Sequence, residues 1–152
     1  MDKEIKFCNG DLLNSNANII AHQVNARGVM GSGVALAVKT KYPEVFQSYR
    51  KFFEEGKLKL GKVDFAKTND GKIVANMCGQ DRYGRDGKQY TDYEALEKCF
   101  DKTARYMKEK NLDSIAFPFK LGCGLGGGDW NIVFAMIKEY FKDFNIEIWQ
   151  LG

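Results

Sequence analysis

The residues best placed to do chemistry stand in a glycine-rich segment, residues 121–130, which reads LGCGLGGGDW. Five glycines occupy the seven positions from Gly122 to Gly128. Because glycine lacks a Cβ, such a backbone can adopt positive φ and turn its N–H groups toward an anion, of which phosphate is the commonest. A helix predicted over residues 129–142 would add its N-terminal N–H groups and dipole. The pattern predicts a phosphate-binding loop; the alternative is a plain connector in which Asp129 caps the helix.

Two further segments place polar residues at the ends of predicted strands. Asn25 ends an apolar strand predicted over residues 18–25 and precedes a second glycine loop, residues 28–33 (GVMGSG). Asp11 follows a strand predicted over residues 5–8. Ligands of open α/β sheets bind outside the carboxyl ends of the strands. The three loops therefore predict one site for a dinucleotide-like ligand, with its diphosphate between the glycine loops and its base against Asp11. The alternatives are that Asp11 caps a turn and that Asn25 satisfies its own loop.

Three better-known kinds of site fit the sequence poorly. A G-x-G-x-x-G pattern begins at Gly122, but the second glycine loop has no place in a Rossmann dinucleotide site. The G-x-x-x-x-G-K-[ST] sequence of a P-loop is absent. A phosphatase thiolate at Cys123 would need an arginine where Asp129 stands. We therefore predict a buried structural thiol at Cys123.

Composition narrows the class of protein. A chain of 152 residues suits one domain, which we predict over residues 1–152. No apolar run approaches the roughly 20 residues of a membrane helix, and the start lacks a secretory signal, so we expect a cytoplasmic protein. The four cysteines form no C-x-x-C pair and His22 is the single histidine, which argues against a metal site. A net charge of +3, with bases and acids interleaved, gives weak support for nucleic-acid binding.

The hydrophobic pattern predicts the element order β-β-α-α-β-β-α-β-α-β, which is an α/β sandwich with a mixed sheet. Asp70-Gly71 predicts a hairpin between strands over residues 62–67 and 72–78. Helices are predicted over residues 34–42, 43–55, 91–110 and 129–142. The segment 81–90 (DRYGRDGKQY) could form a basic and aromatic lid, although a solvated mobile loop is the default.

Three motifs in order resemble the macrodomain family of ADP-ribose-binding modules: Gly10-Asp11-Leu12, Val24-Asn25 followed by GVMGSG, and LGCGLGGGDW. The similarity spans nearly the whole chain and is closest to the branch that contains the terminal ADP-ribose protein glycohydrolase and the ADP-ribose-1″-phosphate phosphatases. The resemblance implies a three-layer α/β/α sandwich. It implies a hydrolase that removes mono-ADP-ribose from acidic protein side chains. The alternatives are an ADP-ribose-1″-phosphate phosphatase and a non-catalytic ADP-ribose reader.

The resemblance also implies which residues bind. Asp11 and Leu12 would lie at the adenine, Asn25 near the distal ribose, and Trp149 would form an apolar wall near the last strand. The remaining residues expected to line the ligand are Met30, Gly31, Ser32, Gly33, Val34, Gly122, Cys123, Gly124, Leu125, Gly126, Gly127 and Gly128. The partners implied are ADP-ribose or an ADP-ribosylated protein, with no cofactor, metal or membrane. We expect a monomer that does not bind nucleic acid.

Two residues are implied in catalysis. Asp129 aligns with the catalytic acid of the glycohydrolase branch and would polarise water or a ribose hydroxyl beside the anomeric carbon. That branch has an attacking lysine after the fourth strand, where this chain has Gln80. The resemblance therefore supplies no covalent lysine here, and Gln80, with Tyr83, is expected to hold the distal ribose or the leaving group. Gln80 and the Gly126–Gly128 run both depart from the glycohydrolase pattern and favour the phosphatase alternative somewhat.

Overall fold

The computed structural model describes residues 3–151, in which six strands and four helices follow one another in the predicted order. The strands are β1 (Ile5–Asn9), β2 (Ile19–Asn25), β3 (Val63–Lys67), β4 (Ile73–Gln80), β5 (Ser114–Pro118) and β6 (Asn145–Gln150). The helices are α1 (Gly33–Lys41), α2 (Pro43–Glu54), α3 (Tyr93–Glu109) and α4 (Trp130–Tyr140). A 3₁₀ turn at Leu12–Asn14, whose N-cap is Asp11, connects β1 to β2.

The six strands form one sheet in the order β1-β6-β5-β2-β4-β3. All neighbouring pairs are parallel except β3–β4, the hairpin that Asp70-Gly71 predicted. From β2 the chain proceeds to β4 on one side of that strand and returns later to β5 on its other side. The carboxyl ends of the five parallel strands therefore lie along one edge, with a switch in direction between β2 and β5. Ligands of such sheets bind at this kind of switch point.

Helices cover both faces of the sheet, which confirms the three-layer α/β/α sandwich. On one face α3 and α4 pack in a large apolar cluster; on the other, α1 and α2 pack in two smaller ones. In the large cluster Phe100, Phe117 and Phe141 are fully buried and meet edge to face, with ring centroids 5.1–5.9 Å apart. Since Phe117 belongs to β5, this trio fixes the strand whose end lies at the switch point.

We expect Phe100→Ala to lower the free energy of unfolding by about 3–5 kcal/mol, because the change removes a buried ring and leaves a cavity. Phe7→Ala is the matched control, since the Phe7 ring is 66% exposed, and a surface change of this kind costs about 0.5 kcal/mol. Urea unfolding followed by circular dichroism measures both. Similar losses for the two variants would contradict the assignment of the trio to the core.

Candidate functional site

Two cavities open along the carboxyl edge of the sheet. The Gln80 lobe, about 620 Å³, lies at the ends of β2, β4 and β5, and the Asp11 lobe, about 450 Å³, lies at the ends of β1, β5 and β6. Gly33, Val34 and residues 118–120 line both lobes, so the two form one cleft around the end of β5. Each lobe has the size of a small-molecule site.

The cleft brings together most of the residues that the sequence predicted. The Gln80 lobe is lined by Asn25, Gly31, Ser32, Gly33, Val34, Gln80, Gly122, Gly124, Leu125 and Gly126. The Asp11 lobe is lined by Asp11, Leu12, Gly33, Val34 and Trp149. The predicted residues that line neither lobe are Met30, Cys123, Gly127, Gly128 and Asp129.

Asn25 uses its side chain to hold the loop that follows β2. Its Nδ2 donates to the Val29 carbonyl oxygen at 2.8 Å, and its Oδ1 accepts from the Arg27 amide at 2.9 Å. The Tyr49 hydroxyl donates to the Asn25 carbonyl and Oδ1. The alternative reading of Asn25, in which it satisfies its own loop, is therefore the one that this structure supports. Met30, in the same loop, is 1% exposed and packs among apolar residues, so it supports the loop from below rather than lining the ligand.

The loop leads into α1, which begins at the junction of the two lobes. Gly33 is the first residue of this helix and has φ +57°, a conformation that favours glycine. Ser32 is the N-cap residue, but its hydroxyl makes no capping hydrogen bond. The N–H groups of the first helical turn lack carbonyl partners within the helix, as at every helix start. They and the Ser32 hydroxyl can therefore bind an anion at the junction.

The glycine-rich segment packs mainly against its own chain. A Cβ on Gly126 would lie 2.6 Å from both the Gly122 carbonyl oxygen and Thr91 Oγ1, and one on Gly127 would lie 2.5 Å from the Lys88 carbonyl oxygen. The Gly126 carbonyl accepts from the amides of Tyr90 and Thr91 at 2.7 and 2.9 Å. These glycines permit contact with residues 88–91 and are not explained by a ligand.

Two other residues of this segment have different environments. A Cβ on Gly124 would meet nothing within 4 Å, and Gly124 lines the Gln80 lobe, so its backbone is open to a ligand. The Cys123 thiol points away, toward the Leu121 carbonyl at 3.2 Å. Burial, with a smaller effect from Asp129, raises the pKa of Cys123 to about 11. Cys123 is therefore a half-buried neutral thiol at physiological pH, in keeping with a structural role.

Asp129 caps α4. Its Oδ1 accepts from the Asn131 amide at 2.9 Å, and its own amide donates to the Tyr93 hydroxyl at 2.8 Å. The residue is exposed and the structure does not bring it into either lobe. This placement favours the capping alternative for Asp129, and its predicted role in catalysis stays a prediction.

Gln80 lies in the larger lobe and is held by a chain of amides. Gln23 Nε2 donates to Gln80 Oε1 at 2.7 Å and to Thr91 Oγ1 at 2.9 Å, and Gln80 Nε2 donates to the Arg82 carbonyl at 2.7 Å. Gln23 also lines the lobe, as does His22. The sequence analysis identified Asn25 at the end of this strand as a site residue but not His22 or Gln23, which precede it.

The Asp11 lobe combines a carboxylate with an indole ring. Asp11 Oδ1 caps the 3₁₀ turn by accepting from the Leu13 amide at 2.9 Å, and the other oxygen makes no hydrogen bond to the described residues. Trp149 Nε1 donates to Glu147 Oε1 at 2.8 Å, which leaves the ring against Gly10 and the cavity. Asp11 can therefore cap the turn and still accept one further hydrogen bond.

Lys120 is a site residue that sequence reasoning missed. It is exposed, lines both lobes, and places its ammonium 5.6 Å from the ring centroid of Phe119. Its φ of +61° is uncommon for a residue with a side chain. Its position two residues after the β5 strand could have identified it, because ligands of such sheets bind beyond the ends of the strands.

His22 is buried at the wall of the Gln80 lobe. Its Nε2 lies 2.6 Å from Asn76 Oδ1, and Asn76 Nδ2 donates to Asp64 at 3.2 Å. Because the amide oxygen can only accept, Nε2 carries the proton and Nδ1 is the ring acceptor. Burial lowers the pKa of His22 to about 4. The single histidine is therefore neutral at pH 7 and is no general acid.

A family profile described as Macro domain matches residues 21–137, which is most of the chain. The chain is a macrodomain. The DNA ADP-ribosyl glycohydrolase of Mycobacterium tuberculosis is 34% identical to it over 142 residues, covering 91% of this chain. The chain spans only 39% of the length of that relative. The human ADP-ribose glycohydrolase OARD1 is 25% identical over 145 residues, covering 95% of this chain and 88% of the human protein.

Solved structures agree with the family assignment. The macrodomain of Mycobacterium tuberculosis DarG is similar to this macrodomain with a TM-score of 0.86 and 28% sequence identity, and the match covers 99% of each chain. Among residues 3–151, no group of three or more histidine, cysteine or acidic side chains is placed to hold a metal ion. No helix in the same part of the chain is long and apolar enough to cross a membrane.

We expect acid to destabilise this macrodomain through His22. The unfolded chain takes up a proton near pH 6.5, whereas the folded chain resists it down to about pH 4. The free energy of unfolding should therefore fall as pH drops through this window, by up to about 1.4 kcal/mol per pH unit from this group. Urea unfolding between pH 4.5 and 7.5 measures the slope. His22→Gln, which keeps an N–H for Asn76 but does not titrate, should have a shallower slope; equal slopes would contradict the assignment.

Proposed function

We propose that this macrodomain binds ADP-ribose in its cleft and hydrolyses the bond that joins the distal ribose to a macromolecule. The observation that carries the proposal is the two-lobed cleft, whose lobes meet at the start of α1 and Lys120. ADP-ribose has the same arrangement, with two nucleoside-sized ends joined by a diphosphate. The names of the mycobacterial and human relatives, which describe ADP-ribosyl and ADP-ribose glycohydrolases, support this choice.

The parts of the ligand divide between the lobes according to their chemistry. The adenine would occupy the Asp11 lobe, where Trp149 offers an aromatic face and Asp11 a carboxylate oxygen for the exocyclic amine. The diphosphate would lie at the junction, against the first N–H groups of α1 and the Lys120 ammonium. The distal ribose would then lie in the Gln80 lobe.

The reaction at the distal ribose is a hydrolysis. A water oxygen bonds to C1″, the bond from C1″ to the linked group breaks, and the proton lost by the water balances the charge on the leaving group. The described residues lining the Gln80 lobe include no carboxylate. We propose that Gln80, whose amide is fixed by Gln23 and Arg82, orients the ribose or the attacking water. Such positioning can itself lower the barrier by several kcal/mol.

Two linkages are candidates for cleavage. The sequence motifs predict an ester to an acidic protein side chain. The relative at 34% identity is named for DNA as its substrate, and this observation favours an ADP-ribosyl group on DNA as the second candidate. Both need the same cleft and differ in the group that leaves from the Gln80 lobe. We also propose that the macrodomain acts as a cytoplasmic monomer.

We expect Lys120→Met to weaken ADP-ribose binding about tenfold, because a hydrogen bond to a charged group contributes about 1.5–3 kcal/mol. Binding of adenosine, which has no phosphate, should not change. Isothermal titration calorimetry measures both. Lys110→Met is the matched control, since Lys110 also places its ammonium over an aromatic ring, that of Tyr106, but lines neither lobe. Absence of ADP-ribose binding by the unchanged chain would overturn the proposed function.

A catalytic role of the Asp129 carboxylate can be tested separately from its capping of α4. Asp129→Ser keeps a capping oxygen and removes the carboxylate, so the placement of Asp129 outside the cleft predicts near-normal turnover. Mass spectrometry of ADP-ribose released from ADP-ribosylated DNA and from a glutamate-linked protein measures it. A loss of about a hundredfold or more would show that the carboxylate acts as an acid or base. Release from neither substrate by the unchanged chain would contradict the hydrolase proposal.

A further inference from the structure

The segment from Asp81 to Tyr90 connects β4 to α3 and forms the outer rim of the Gln80 lobe. Three of its residues, Tyr83, Gly84 and Arg85, line that lobe. In the proposed function this lobe holds C1″, the atom to which the macromolecule is attached. A side chain on the rim is therefore placed to contact the group that leaves.

This segment is mostly exposed, as expected of a solvated loop, but hydrogen bonds attach both of its ends. Near the end, the Tyr90 amide donates to the Gly126 carbonyl, and near the start, the Arg82 carbonyl accepts from Gln80. Within the segment, the Tyr90 hydroxyl donates to Asp86 Oδ1 at 2.7 Å, and the Lys88 amide donates to the same oxygen at 3.2 Å. The segment is thus tied to the loop after β5 and to the end of β4.

Arg85 is the cation of this segment that has no acidic partner among residues 3–151. Asp81 forms ion pairs with Arg27 at 2.9 Å and with Arg82 at 3.7 Å, and Asp86 is bound by Tyr90 and lies 3.8 Å from Lys88. Among residues 3–151, the Arg85 side chain makes neither a hydrogen bond nor an ion pair. The Tyr83 ring is 55% exposed. An open aromatic face and an uncompensated guanidinium therefore stand two residues apart at the mouth of the lobe.

We propose that Tyr83 and Arg85 bind the nucleic-acid strand to which the ADP-ribose is attached. Tyr83 stacks on a base next to the modified one, and Arg85 binds a phosphate of the strand. Base–aromatic stacking suits any base, and a guanidinium binds phosphate through two parallel hydrogen bonds. The inference rests on the proposed function, because it requires ADP-ribose in the cleft with C1″ in the Gln80 lobe.

A nucleic acid fits the rim better than a protein does. An acidic side chain in ester linkage has given up its charge to the bond, so it offers Arg85 no anion, whereas a strand has a phosphate at every nucleotide. A peptide also has no general partner for the Tyr83 ring, whereas every nucleotide has a base. An exposed aromatic ring near an unpaired guanidinium is therefore the combination of groups that single-strand binding uses.

The test compares hydrolysis of an ADP-ribosylated single-stranded DNA oligonucleotide with binding of free ADP-ribose. We expect Tyr83→Ala and Arg85→Ala each to lower kcat/KM for the oligonucleotide about tenfold, since stacking and phosphate contacts are each of that size. The Kd for free ADP-ribose should not change, and Tyr83→Phe should keep the activity. Phe7→Ala and Lys138→Ala are the matched controls. Phe7 is 66% exposed, compared with 55% for Tyr83, and neither Phe7 nor Lys138 lines a lobe.

The other outcomes separate the inference from the function on which it rests. Unchanged kcat/KM in the Tyr83 and Arg85 variants, or no cleavage of the oligonucleotide by a chain that binds ADP-ribose, would overturn the inference and leave ADP-ribose binding intact. A matching loss of free ADP-ribose affinity would assign both residues to the nucleotide site instead. An equal loss on a glutamyl-linked ADP-ribosyl peptide would show that the rim does not select nucleic acid. No binding of ADP-ribose would overturn the proposed function and the inference together.

Discussion

The contact between Gly126 and Thr91 determines the shape of the cleft. A Cβ at Gly126 would collide with Thr91 Oγ1 and with the Gly122 carbonyl, and the Gly126 carbonyl accepts the Tyr90 and Thr91 amides. This contact joins the loop after β5 to the segment after β4, which are the two walls of the Gln80 lobe. If it were lost, the cavity, the position of Gln80 and the rim segment would all change together, because Thr91 is also bound by Gln23.

Two hydrogen-bond networks, one on each side of β2, hold the part of the Gln80 lobe that β2 forms. Successive strand residues point to opposite faces, so His22 bonds toward Asn76 and Asp64, while Gln23 bonds toward Gln80 and Thr91. Each network also leaves one buried acceptor, His22 Nδ1 in one and Gln23 Oε1 in the other, without a hydrogen-bond partner among the described residues. The hydrogen bonds that are made attach the end of β2 to β4 and to Thr91 at the floor of the lobe. Its neutral histidine keeps that floor uncharged at physiological pH.

The sequence was sufficient for the order of the elements and for the edge of the sheet where the site lies. Both follow from local patterns, hydrophobic periodicity and the rule that ligands bind at strand ends. It was not sufficient to explain why glycines are needed, because Thr91 and Lys88, which Gly126 and Gly127 approach, lie more than 30 positions earlier in the chain. Lys120 was likewise missed, and Arg85 was expected only as part of a possible lid, since only the tertiary structure places both at one cavity.

The absence of a carboxylate from the described lining of the Gln80 lobe constrains how a hydrolysis there could proceed. With His22 neutral and Gln80 unable to titrate, the lobe offers positioning and cations instead of proton transfer. A group that leaves from C1″ develops negative charge, which hydrogen-bond donors and cations can stabilise without themselves changing protonation state. The cations among the described residues lining this lobe are Arg85 and Lys120. In the proposed reaction, orientation by Gln80 and charge stabilisation by such cations would therefore take the place of a protein acid.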